Sequence, residues 1–111
     1  MTTEAACAVV HLRPGSLERV REWVAHVSAH RAEALQTLAA EGVSVESVFL
    51  GSSERGDFLV YYMHSNSQET AQGVARQSLS KIDEYHRRFK KECWAEVERL
   101  EPLIDLEQTA L

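Results

Sequence analysis

Apolar residues recur along the 111-residue chain with two different periods, and the changes between them divide it into strands and helices. Residues Ala5 to Leu12 predict a first strand, with Ala8-Val9-Val10 apolar on both faces. Pro14-Gly15 then punctuates the chain, and Ser16 is placed to cap a helix with Glu18 in its first turn. Leu17, Val20, Val24, Val27, Leu35 and Leu38 share one helical stripe, which predicts a helix from about Leu17 to Ala40 that Gly42 ends. That length is at the upper end for a globular helix and admits a bend or break.

Val43 to Leu50 and Phe58 to Met63 predict two antiparallel strands, joined by the polar hairpin loop Gly51 to Gly56. Gln68 to Leu79 predicts a modest helix weakened by Gly73. Ser80 offers a new cap. A last helix from about Lys81 to Leu100 would carry Ile82, Tyr85, Phe89, Cys93, Val97 and Leu100, and Pro102 would stop it. Leu103 to Glu107 reads as a short closing edge strand. The order predicts an α+β class: one ferredoxin-like βαββαβ domain over residues 1–111, with a four-stranded antiparallel sheet and helices on one face. The hairpin is apolar on both faces, with Phe58, Val60 and Tyr62 on one and Leu59, Tyr61 and Met63 on the other. A second copy of the chain is therefore the expected cover for the face without helices, a homodimer. The competing reading is a monomer with its tyrosines exposed.

Composition narrows the function classes. The chain is 44% apolar, enough for a core, and its formal net charge of −5 argues against a nucleic-acid surface. Arg87, Arg88, Lys90 and Lys91 are followed by Glu92, Glu96, Glu98 and Glu101, as on a solvated helix face with internal ion pairs. Cys7 and Cys93 form no CxxC pair, so neither structural zinc nor thiol redox chemistry is expected. No apolar run nears the roughly 20 residues of a membrane helix, and no positive leader precedes the first strand. The cytoplasm is the expected location, with no membrane partner and no cofactor.

The phrases Arg21-Glu22-Trp23, Glu41-Gly42-Val43, Glu46-Ser47-Val48-Phe49-Leu50, Tyr61-Tyr62 and Ile82-Asp83-Glu84-Tyr85-His86 together resemble a bacterial family of uncharacterised proteins in the dimeric α+β barrel superfamily. The resemblance spans Val9 to about Trp94 and implies a sheet-to-sheet dimer. The wider superfamily includes cofactor-independent oxygenases, haem-degrading oxygenases, sugar mutarotases and stress-responsive dimers, and the fold does not choose among them. No complete mutarotase or haem-oxygenase residue pattern is present.

Six residues are candidates for chemistry. His86 lies three positions beyond Asp83 on one helix face, so Asp83 could orient its imidazole for proton transfer; the alternative is a surface histidine that only packs. Tyr62 is a candidate hydroxyl donor if its face meets the helices, although the faces could be reversed. Arg31 interrupts the apolar stripe of the first helix, and Glu46 interrupts an apolar strand. The two are expected to pair, with Asp83 the second choice for Arg31; they would be either a structural ion pair or a clamp for a small anionic ligand. Trp23 and Trp94 are large enough to line a pocket, with plain packing residues as the alternative. His26 and His30 stand one turn apart, but without a third ligand no metal site is expected. The expected role is thus a small-molecule-binding dimer, an enzyme of proton transfer or oxidation, with a noncatalytic structural or regulatory dimer as the alternative.

Overall fold

The computed structural model describes residues 3–108. Its elements are β1 (Glu4–Leu12), α1 (Leu17–Ala29), α2 (Arg31–Glu41), β2 (Val43–Ser53), β3 (Gly56–Ser65), α3 (Gln68–Gln77), α4 (Lys81–Cys93) and β4 (Trp94–Leu100). The strands form one antiparallel sheet in the order β2-β3-β1-β4, with the helices on one face. This is the ferredoxin-like βαββαβ topology and the protomer architecture of the dimeric α+β barrel.

Strand register assigns every side chain to a face. Cys7 pairs with Tyr62, Val10 with Leu59, and Val48 with Tyr61. Val10, Leu12 and Leu59 join Val20 and Trp23 of α1 and Phe89 and Cys93 of α4 in the core. Leu59, Tyr61, Met63 and Ser65 therefore face the helices, because side chains alternate along a strand. Tyr62 faces the other way with Val60 and Phe58, so the tyrosine pair is inverted relative to the arrangement that would make Tyr62 a helix-side donor.

The predicted long helix is two helices. α1 ends at His30, whose ψ of 36° interrupts the helical path, and α2 restarts at Arg31. The break rotates the second half of the apolar stripe. Leu35 is exposed, and Arg31 is a surface residue in the first turn of α2. The expected Arg31–Glu46 and Arg31–Asp83 ion pairs are not formed. Gly42 ends α2 at φ 74°, a left-handed conformation that glycine adopts without a Cβ penalty. Its carbonyl accepts the Asn66 N–H at 2.9 Å, which ties the end of α2 to the end of β3.

The last helix is shorter than its periodicity suggests. It ends at Cys93, where the Arg13 N–H donates to the Cys93 carbonyl at 2.8 Å. Residues 94–100, expected as helix, form β4 against β1. Residues 103–107, expected as the last strand, run outside the sheet with Leu103, Ile104 and Leu106 exposed. Both readings of that segment are apolar at steps of three and four, and the backbone partners offered by β1 decide between them. Asp105 accepts from His64 Nε2 at 2.9 Å, which lays this tail over one end of the open sheet face.

Candidate functional site

The helix-side face of the sheet holds an aromatic layer with polar groups inside it. Trp23 of α1 stacks on Phe89 of α4, with ring centres 4.6 Å apart and planes 5° apart. Phe89 is 0% exposed. Trp23 Nε1 donates to His86 Nδ1 at 3.1 Å. A nitrogen that accepts carries no proton, so neutral His86 holds its proton on Nε2. Nε2 makes no hydrogen bond among the described residues. Burial pushes His86 down to about 4, and the nearby Lys90 charge adds to this while Asp83 opposes it. At neutral pH the ring is a fixed neutral donor.

Tyr61 lies beside this pair, its ring 6.2 Å from His86 and edge-on to Trp94 at 5.2 Å. Tyr61 Oη and Trp94 Nε1 are buried near each other, close enough for the indole N–H to lower the proton affinity of the phenol, but in a geometry short of a regular hydrogen bond. A buried donor without a partner costs about 1–3 kcal/mol, a cost that a bound polar atom would remove. Burial, and then the charge of Glu46, hold the Tyr61 phenol above its ordinary range, so it remains an O–H donor.

Carboxyl groups close one end of the layer. Glu46 shares the helix-side face of β2 with Val48. Burial raises its carboxyl above the usual range; Asp83 adds to the rise, and Lys90 opposes it. Glu41, the last residue of α2, is 9% exposed and is pushed up to about 7 by burial, then by the charges of Asp83 and Glu46. Asp83 sits in the first turn of α4, its N–H bonded to the Ser80 hydroxyl at 3.2 Å. Burial lowers Lys90, whose ammonium lies 4.7 Å from the centre of the Trp94 ring.

The opposite end is open. A cleft of about 240 Å³ lies between α1 and β2, lined by the apolar side chains Val20, Trp23, Val24, Val48, Phe49, Leu50 and Leu59 together with Arg21. Trp23 therefore has one side toward the cleft and its N–H on His86.

Of the six residues singled out in the sequence, His86, Trp23, Glu46 and Asp83 come together here. Trp23, rather than Asp83, makes the hydrogen bond that orients His86. Tyr62 lies on the open face beside Cys7 and Leu100, and Arg31 is on the surface. Tyr61, Trp94 and Glu41 complete the layer; Trp94 was expected only as a residue large enough to line a pocket, and Tyr61 and Glu41 were not among the candidates. Tyr61 was one register choice away from recognition. Glu41 looks in sequence like any polar residue before a terminating glycine. His26 and His30 stack at 4.2 Å, with His26 also against Tyr85 at 3.7 Å. Among the described residues no three ligating side chains gather in a metal-compatible group.

Residues 3–110 match the model of a family of unknown function, DUF6176. The chain belongs to that family. Several solved structures share its fold. The Rv0793 protein of Mycobacterium tuberculosis aligns at a TM-score of 0.57 and 20% identity, over 96% of this chain and all of its own. A Bacteroides thetaiotaomicron protein bearing the name "putative antibiotic biosynthesis monooxygenase" aligns at 0.63 and 12% identity, over 98% and 97%. PA3566 of Pseudomonas aeruginosa aligns at 0.56 and 17% identity, over 94% and 97%. Among curated proteins none matches. At these identities the likeness establishes the fold. No helix among the described residues is long and apolar enough to cross a membrane.

Proposed function

We propose that this family member is a homodimer that binds a flat organic molecule between helices and sheet and moves a proton on it. The carrying observation is His86, held by the Trp23 N–H on Nδ1, with its Nε2 free of hydrogen bonds among the described residues and the Tyr61 ring centre 6.2 Å from its own. A buried N–H and O–H donor on the same aromatic layer would stabilise a developing enolate or phenolate oxygen that reaches both. Glu46 would supply the matching base: burial raises its proton affinity above that of an ordinary carboxylate, which suits it to take a proton from a carbon or oxygen acid. In this scheme the C–H or O–H bond of the bound molecule breaks, the proton passes to the Glu46 carboxylate, and the electron pair stays on the oxygen held by His86 and Tyr61. Pairing through the open sheet face is supported by its apolar side chains. Phe49 is 59% exposed there, and Val45 and Leu100 are also exposed.

Tryptophan fluorescence tests binding, since Trp23 and Trp94 are the chain's two tryptophans. Titration with hydroxylated naphthalenes and cyclic 1,3-diketones is expected to quench at micromolar concentrations. Deuterium exchange at the acidic C–H of a bound diketone is expected to accelerate, and Glu46→Gln to lose about 100-fold or more of that acceleration. Binding with exchange no faster than in buffer would favour the noncatalytic dimer. No quenching by either class would remove the binding reading.

A further inference from the structure

We propose that residues 101–106 form a strap that belongs to the contact between two copies of the chain, with Leu103, Ile104 and Leu106 packed against the second copy. The inference rests on the homodimer proposed above and adds a part of its interface that lies outside the sheet.

Pro102 starts the strap. It has no N–H to donate and its ring fixes φ, so the ladder of β4 on β1 stops at Leu100. β4 is an edge strand, and His64 belongs to β3, on the far side of β1. The hydrogen bond from His64 to Asp105, at 2.9 Å, therefore carries the chain across β1 over the open face. Ala5 and Cys7 of β1 lie beneath the crossing, and their small side chains leave room for it. A cavity of about 150 Å³ remains under the strap, walled by Ala5, Cys7 and Tyr62 from the sheet and by Leu100, Pro102 and Ile104 from the chain above.

The strap is held at a polar point and is apolar around it. His64 is buried, so its ring is a firm anchor for Asp105. Leu103, Ile104 and Leu106 nevertheless stay 87%, 77% and 85% exposed. Their own sheet gives these side chains almost no cover, although the segment that carries them is pinned to it. Large apolar side chains fixed in water gain about 1.5–3 kcal/mol each when something covers them.

Area identifies what covers them. Four strands about 4.8 Å apart and about 30 Å long offer roughly 550 Å² in plan, whereas a standard interface takes about 800 Å² from each partner. One end of the open face is given to charge: Arg55 reaches from the β2–β3 turn to Glu96 at 2.7 Å and Glu98 at 3.2 Å, and His11 bonds to Glu98. The apolar remainder, with Val45 and Phe49 exposed on β2 and Leu100 on β4, runs into the strap through Leu100. A second copy laid on the open face meets the strap together with the sheet, and the strap supplies area that the sheet alone lacks. In a two-fold pair both straps take part.

Sedimentation velocity of the full chain, over micromolar and submicromolar dilution, tests the strap. Leu103→Ser/Ile104→Ser/Leu106→Ser is expected to weaken dimerisation about 100-fold or more with an unchanged circular dichroism spectrum. Asp105→Ala, which releases the anchor, is expected to weaken it about 10-fold. Leu79→Ser changes another exposed apolar residue, between α3 and α4, and should leave the dimer as it is. A triple variant that dimerises as tightly as the wild type, or a loss in Leu79→Ser as large as in the triple variant, would overturn the strap and leave the sheet-to-sheet dimer standing. A wild type that is monomeric throughout would overturn both. Should the triple variant fail to fold, hydroxyl-radical footprinting of the wild type decides. Leu103, Ile104 and Leu106 should be labelled less in the dimer than in the monomer reached by dilution, and equal labelling would overturn the strap.

Discussion

Replacing Glu41 by glutamine removes a charge that folding must desolvate, and the gain in stability should depend on pH. In the folded chain the carboxyl titrates at about 7, against an ordinary 4.5. At about 1.4 kcal/mol per pH unit the difference sets an upper limit of about 3.5 kcal/mol, which solvent screening of the carboxyl lowers to roughly 2–3 kcal/mol. Between these two values the folded chain holds a proton that the unfolded chain has released. Stability therefore falls as pH rises through this window and is lower by the full amount above 7. Glutamine keeps the shape and abolishes the titration. Urea unfolding, followed by tryptophan fluorescence at fixed protein concentration, should show Glu41→Gln within about 0.5 kcal/mol of the wild type at pH 4 and about 2–3 kcal/mol more stable at pH 8. His86 works in the opposite sense. Its folded value of about 4 lies below the ordinary 6.5, so its contribution is full above 6.5 and is lost as pH falls toward 4. The two slopes offset in the wild type, and the variant should expose the histidine slope alone. A variant that folds normally yet is no more stable than the wild type at pH 8 would refute the buried, unpaired state of Glu41.

Other substitutions probe the remaining contacts. Trp23→Phe keeps the stacking on Phe89 but deletes the N–H to His86; a loss of about 1 kcal/mol is expected, and nitrogen NMR should show Nδ1 no longer held as the acceptor. Phe89→Ala empties the centre of the core and should cost about 3–5 kcal/mol in equilibrium unfolding; a loss below 1 kcal/mol would contradict its complete burial. Val60→Lys places a charge on the open sheet face, and sedimentation over micromolar dilution should turn a wild-type dimer into a monomer with an unchanged circular dichroism spectrum. A wild type that is already monomeric throughout would end the dimer proposal.

The order of elements was legible in the chain because local chemistry sets it. Short runs of apolar and β-branched residues bounded by turn residues marked β1, β2 and β3, Gly42 and Ser80 marked helix ends, and the split βαβ arrangement followed from their sequence. Glu46 and His86 stood out because each is polar within an apolar or helical pattern. What the chain alone left open depends on partners distant in sequence. Residues 94–100 continue a helical stripe as well as a strand, and only the hydrogen-bonding edge of β1 makes them β4. The break at His30 moves Arg31 to the surface because a change of path at one residue rotates everything after it. Tyr61 and Tyr62 are adjacent and chemically alike; a period of two assigns them to opposite faces, but only the packing of Trp23, Phe89 and Leu59 says which face is inside. The burial of Glu41 has the same origin. Its proton affinity is set by two acids from other elements and by exclusion from water, and those are properties of the assembled layers rather than of any stretch of chain.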